Sequence, residues 1–284
     1  MLPYLQLLRS SVRLGFRDPQ IGLGYLGGFV ARASTVAISL FIPLFVNTFF
    51  MDSGKCLGSP NDPSSELKKE CRAAYLLASI LTGVAQLVGL ICAPVFGYLS
   101  SRPGRFNYPI VVATVFGIVG YLVFPRLASP EPRDVEGRGG SPVVFLVVSL
   151  IGVSQIGAIV CSLGSLGRGV LTADVARLRP RREAEAANGD ADGEDGEEDE
   201  EDAPLLDGEA GVEAVSRVRL KGSIAGVYSW CGGAAILLLT KLGGLLFDRW
   251  THGAPFYMMA VFNGVLLVAS LAVDVSREVK KKAH

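Results

Sequence analysis

Apolar residues along the chain fall into six blocks, at about 21–50, 73–99, 108–124, 143–165, 224–247 and 256–275. Each is long enough for the roughly 20-residue helix that crosses a ~30 Å hydrocarbon layer, and short segments holding nearly all the charge separate them. The pattern predicts an all-α integral membrane protein with six transmembrane helices. The first block, about thirty residues, exceeds the 7 to 15 of a signal peptide, and no small-residue cleavage site follows it, so it reads as a retained helix. Between them the blocks leave a segment 1–20, a long polar loop 166–223 and a short basic tail 276–284.

Composition sharpens this picture. Hydrophobic residues make up 50% of the chain before its 34 glycines are counted, above the ~45–50% that a soluble domain reaches with glycine included. A soluble enzyme is thereby excluded. The formal charge of zero conceals an asymmetry: residues 183–213 hold 15 of the 27 acidic residues and no Lys or Arg, leaving 27 basic against 12 acidic residues elsewhere. Those bases sit at the ends of apolar blocks, where they read as topology determinants and not as a nucleic-acid surface. With the N-terminus in the cytoplasm, inside segments carry 17 Lys and Arg and outside loops 8, which favours both termini cytoplasmic.

The loops add three readings. Cys56 and Cys71 share the first outer loop; a disulfide there and two free thiols are both open. Asp190 to Asp202 packs ten carboxylates into thirteen residues, a composition expected to stay disordered as a solvated cytoplasmic spacer. It lacks the glycine-hinged ligand spacing of a calcium loop. Within EEDAPLLD, Glu201, Leu205 and Leu206 resemble an acidic dileucine sorting signal, which would route the protein to vacuolar or endosomal membranes; the plasma membrane stays open. No cofactor or metal ligand set is read.

Several six-span classes fail on residues. Only two histidines occur, neither within a span, so no intramembrane Ser/His dyad can form. There is no Asn-Pro-Ala pair of an aquaporin and no Walker motif. After the second block the chain reads GYLSSRPGRFN, in which Gly97, Leu99, Arg102, Gly104 and Arg105 match the G-x-L-x-D-R-x-G-R loop motif of major facilitator transporters, with Ser101 in place of the aspartate. The blocks beginning GYLGGFVARASTV, GSIAGVYSWCGG and APFYMMAVFNG are similar to helices seven, eleven and twelve of fungal members of that superfamily. The resemblance covers about residues 15–275 and implies the C-terminal six-helix half of a twelve-helix fold. Its partner would be an N-terminal half or a second copy, and the two bundles would rock about a central site. Mapped so, spans one, two, four and five face the cavity and spans three and six the lipid. The glycines of the motif would permit a tight turn with close helix approach.

Polar residues at helical spacing mark the candidate cavity. Arg32, Thr35, Ser39, Pro43 and Asn47 share one face of span one, joined by Ser79, Thr82 and Gln86 in span two, Gln155 and Ser162 in span four, and Tyr228, Ser229, Thr240 and Lys241 in span five. Hydroxyls in such places also satisfy their own helix backbone. Arg32 lies near mid-span, where a charge costs at least ~2.5 kcal/mol; it either binds an anionic substrate group or contacts the other half. Lys241 is near enough to the outer end to snorkel. No span core holds Asp or Glu, so the expected solute is anionic or zwitterionic. The reading is alternating-access transport of a small solute without covalent chemistry. A nontransporting half-size receptor, scaffold or assembly partner is the alternative.

Overall fold

A computed structural model describes residues 4–54, 72–101, 107–133, 139–187 and 221–282. All regular structure among the described residues is helical. Helix α1 spans Tyr4–Arg17. Asp18 then accepts the Gln20 backbone N–H at 2.9 Å, and Pro19 occupies the first turn, where its missing N–H costs nothing. From that cap α2 runs Pro19–Asp52, with one π-helical turn at Ala37–Phe41 just before Pro43. Next come α3 (Arg72–Ser101), α4 (Tyr108–Val123), α5 (Val143–Ala187) and α6 (Gly222–Arg249), the last with a second π-helical turn at Leu239–Gly243. Helix α7 spans Ala254–Lys282. Helices α2 to α7 contain the six stretches long and apolar enough to cross a membrane, as in a multi-pass membrane protein.

The bundle is centred on α2 and α5, the most buried pair, which pack on each other. Helix α3 lies against α5, and α6 against α2; α4 packs on α5, α7 on α2, and α4 and α7 meet each other. Exchanging α2 with α5, α3 with α6 and α4 with α7 reproduces this arrangement, apart from an α2–α3 contact more extensive than α5–α6. Close approach of α3 and α5 requires Gly152: a Cβ there would lie 2.0 Å from the Ala85 carbonyl oxygen. At the end of the bundle away from the termini, Phe45, Phe124 and Phe256 pack ring on ring, with centroids 4.9 to 5.7 Å apart.

Two expectations need correction. The stretch 166–223, read as loop, is helical as far as Ala187, because α5 outlasts its apolar block by some twenty residues through a segment rich in the helix formers Ala, Arg and Glu. The acidic run itself lies outside the described residues. Gly97 is not in a turn. It stands inside α3, and nothing among the described residues lies within 4 Å of where its Cβ would be.

Candidate functional site

The polar residues of α2, α5 and α6 converge where these helices adjoin. Gln155 of α5 donates to Thr35 Oγ1 at 2.9 Å, and Ser162 of α5 meets the Tyr228 hydroxyl of α6 at 3.2 Å. Tyr228 lies directly over Gly28, whose Cβ would fall 2.3 Å from the ring. One helical turn farther along the same groove, Arg32 lays its alkyl stem over Gly232, with Cγ 2.7 Å from where a Cβ would be. Glycine at 28 and 232 thus makes room for the two largest polar side chains of the site.

Arg32 is exposed and has no hydrogen bond or ion pair with any described residue. It stands thirteen residues into α2, roughly 20 Å along the helix at 1.5 Å per residue. A guanidinium at that depth requires water or an anion. Ser39, Ser79, Gln86, Ser229 and Lys241 are also exposed. Thr35, Ser39, Ser79, Thr82 and Thr240 donate to carbonyls of their own helices at 2.7 to 3.1 Å, which leaves their oxygens free only as acceptors. Gln155 is buried, its amide nitrogen engaged by Thr35. Asn47 is half-buried, and its side-chain oxygen is enclosed without a hydrogen-bond partner.

No known family model, curated protein or solved structure matches the chain. The site must therefore be read from its own residues. Of the predicted loop motif, Gly97, Leu99 and the Ser101 at its aspartate position are described, the last two exposed; Arg102, Gly104 and Arg105 lie outside the described residues. So do Cys56 and Cys71, and Glu201, Leu205 and Leu206.

Sequence reasoning passed over a second polar cluster at the end of the bundle where the termini lie. Asp274 of α7, completely buried, accepts both the backbone N–H and the side-chain amide of Asn107, each at 2.9 Å. Asn107 caps α4, so the carboxylate also faces the positive end of that helix. Arg168 of α5 donates to the Asn107 amide oxygen at 3.3 Å and to the Ser100 carbonyl at 2.7 Å. One acid and one base at block ends, Asp274 and Arg168, were the available signal. A third cluster buries Ser34 against the Tyr121 hydroxyl and Ser154 against Asn263 at 3.2 Å. Thr114 and Tyr121 of α4 and Asn263, Ser270 and Asp274 of α7 are thus buried, while Val112, Val115, Phe116 and Val119 of α4 and Val261, Val265 and Val268 of α7 are exposed. Helix α3 differs from the expected polar wall, exposing Leu76, Ile80, Leu87, Leu90 and Ile91 beside Ser79 and Gln86.

Proposed function

We propose that the protein carries a small anionic or zwitterionic solute across a membrane by alternating access, as one half of a twelve-helix unit of the major facilitator type. The observation that carries the reading is Arg32, an exposed guanidinium without a partner among the described residues, deep along a membrane-length helix and seated in a groove that glycines keep open. The arrangement of α2–α4 and α5–α7, related by near exchange symmetry, supports it, since paired three-helix repeats with the site at their junction are how such bundles are built. The GYLSSRPGRFN segment adds its resemblance. In this reading Arg32 binds the anionic group, while Tyr228 and the acceptor oxygens of Thr35 and Ser39 orient the rest. A second bundle covers the face from the other side. Both termini lie in the cytoplasm, on the side of the basic segments.

Uptake into proteoliposomes of a panel of labelled anionic, zwitterionic and neutral solutes tests this. At least one anionic or zwitterionic solute should accumulate, and Arg32→Ala should abolish that uptake with expression and thermal stability retained. No uptake of any solute by a folded, correctly inserted assembly would leave the protein a membrane scaffold. Undiminished uptake by Arg32→Ala would remove that residue from the site. An immunoblot of native membranes against the segment 278–284 gives the mass of the native polypeptide. A band near twice 30.1 kDa would mean both bundles lie on one chain, and one at 30.1 kDa that two chains meet.

A further inference from the structure

Helix α1 has two unlike faces. On one, Leu8, Val12 and Leu14 join the apolar cluster of Ile21, Tyr25, Ile224 and Val227, which belong to the first turns of α2 and α6. Ser11 is fully buried there, and its carbonyl accepts the Tyr25 hydroxyl at 3.3 Å. Because this face is held by the bundle, the opposite one is fixed in direction. That face presents Arg9, Arg13 and Arg17, all exposed and spaced by four residues, so that each lies one turn from the next. Phe16 sits among them at 89% exposure, the highest of any large hydrophobic side chain among the described residues. Helix α1 contains no acidic residue.

We propose that the outer face of α1 is a docking surface for anionic phospholipid headgroups, with Arg9 and Arg13 on the phosphates and Phe16 inserted at the boundary of headgroup and acyl chain. Position favours this occupant. Helix α1 adjoins the first turns of two membrane-length helices, at the end of the bundle where Arg168 and Arg277 also lie, which is the level of the headgroups. Chemistry favours it too. A basic stripe with an exposed aromatic matches a surface that is negative outside and apolar a few ångströms deeper. A water-filled cytosol would satisfy the arginines and leave Phe16 exposed for nothing.

The test uses the full chain in nanodiscs of phosphatidylcholine alone or with phosphatidylserine, reading hydrogen exchange of the amides of residues 4–17 at low salt. Phosphatidylserine should slow exchange, by about fivefold for each arginine engaged. Arg9→Gln with Arg13→Gln should erase the difference between the two lipid compositions, as should 0.5 M salt. Independently, Phe16→Trp emission, corrected for Trp230 and Trp250, should be quenched by brominated acyl chains. Equal protection in both lipids, or a lipid effect that survives the double substitution, would overturn the proposal. So would protection in pure phosphatidylcholine that disappears on deleting residues 188–213, which would assign the stripe to the chain's own acidic run.

Discussion

The Arg32 guanidinium forms no hydrogen bond or ion pair with any described residue although it lies deep along a helix, and the proposed function gives it a use outside the bundle. Its orientation depends on what lies beneath it. A Cβ at Gly232 would displace the Arg32 stem, whereas one at Gly233, the next residue, meets nothing within 4 Å among the described residues. Under the proposed function, Gly232→Val should therefore raise the KM of solute uptake tenfold or more, and Gly233→Val should leave it within about twofold. Uptake kinetics of the two variants side by side decide this, and equal effects would show that Arg32 needs no glycine floor. Asp274 makes the opposite case, a residue consumed by structure. Asp274→Ala removes two hydrogen bonds from Asn107 to the carboxylate and takes one favourable charge away from Arg168. A loss of about 2–3 kcal/mol is expected, read as a lowered thermal midpoint in detergent. A midpoint shift no larger than that of a surface substitution would rule the cluster out as a fastening. Arg32 was legible as a charge inside an apolar block. The Asn107–Asp274 pairing was not, since its members are 167 positions apart and only tertiary packing joins them.

At the scale of elements, the six apolar blocks and the six membrane-length helices agree to within a few residues at most ends, because hydropathy over some twenty positions fixes such helices whatever they pack against. Helix α1 was invisible to the same measure. Leu8, Val12 and Leu14 lie on one face of a short polar segment and Phe16 on the other, too few apolar residues for a span, so the sequence marks 1–20 only as a cytoplasmic N-terminal segment. The π-helical turns were also beyond reach, since one extra residue in a turn leaves the apolar count unchanged. In α2 the Ile42 N–H bonds the Ala37 carbonyl, five residues back, immediately before Pro43, which has no N–H to give. The two π turns are in contact: a Cβ at Gly243 would stand 3.2 Å from the Phe41 ring. Under the proposed function, such a paired irregularity across the α2–α6 crossing is where the helices would bend as the bundle rocks. Pro43→Ala, which restores a backbone donor, should keep or raise the thermal midpoint while slowing turnover severalfold with KM little changed. An unchanged turnover would make the π turns a packing detail.

At the scale of the molecule, the decisive feature is how unequally the six helices are covered. Helices α2 and α5 are largely buried, α3 and α6 the least, and the exposed surface is of two kinds. Along the middle of α4 and α7 the exposed large side chains are apolar, as hydrocarbon requires. On α2, α3 and α6 the exposed set includes Arg32, Ser39, Ser79, Gln86, Ser229 and Lys241, a face that hydrocarbon would penalise by several kcal/mol for its charges alone. The second six-helix bundle of the proposed function would resolve the conflict, covering the apolar rim of α3 and α6 and enclosing water over the polar centre. Native mass spectrometry of the detergent-solubilised assembly should then show two bundles, and a cysteine-free variant carrying Ser39→Cys should react with a water-soluble thiol reagent in sealed vesicles. Val265→Cys, on the apolar side, should not react. Transported solute should slow the reaction at position 39, since it shares the face of Arg32. A single-bundle species that transports would overturn the pairing, and equal reactivity at positions 39 and 265 would mean that the two faces do not see different solvents.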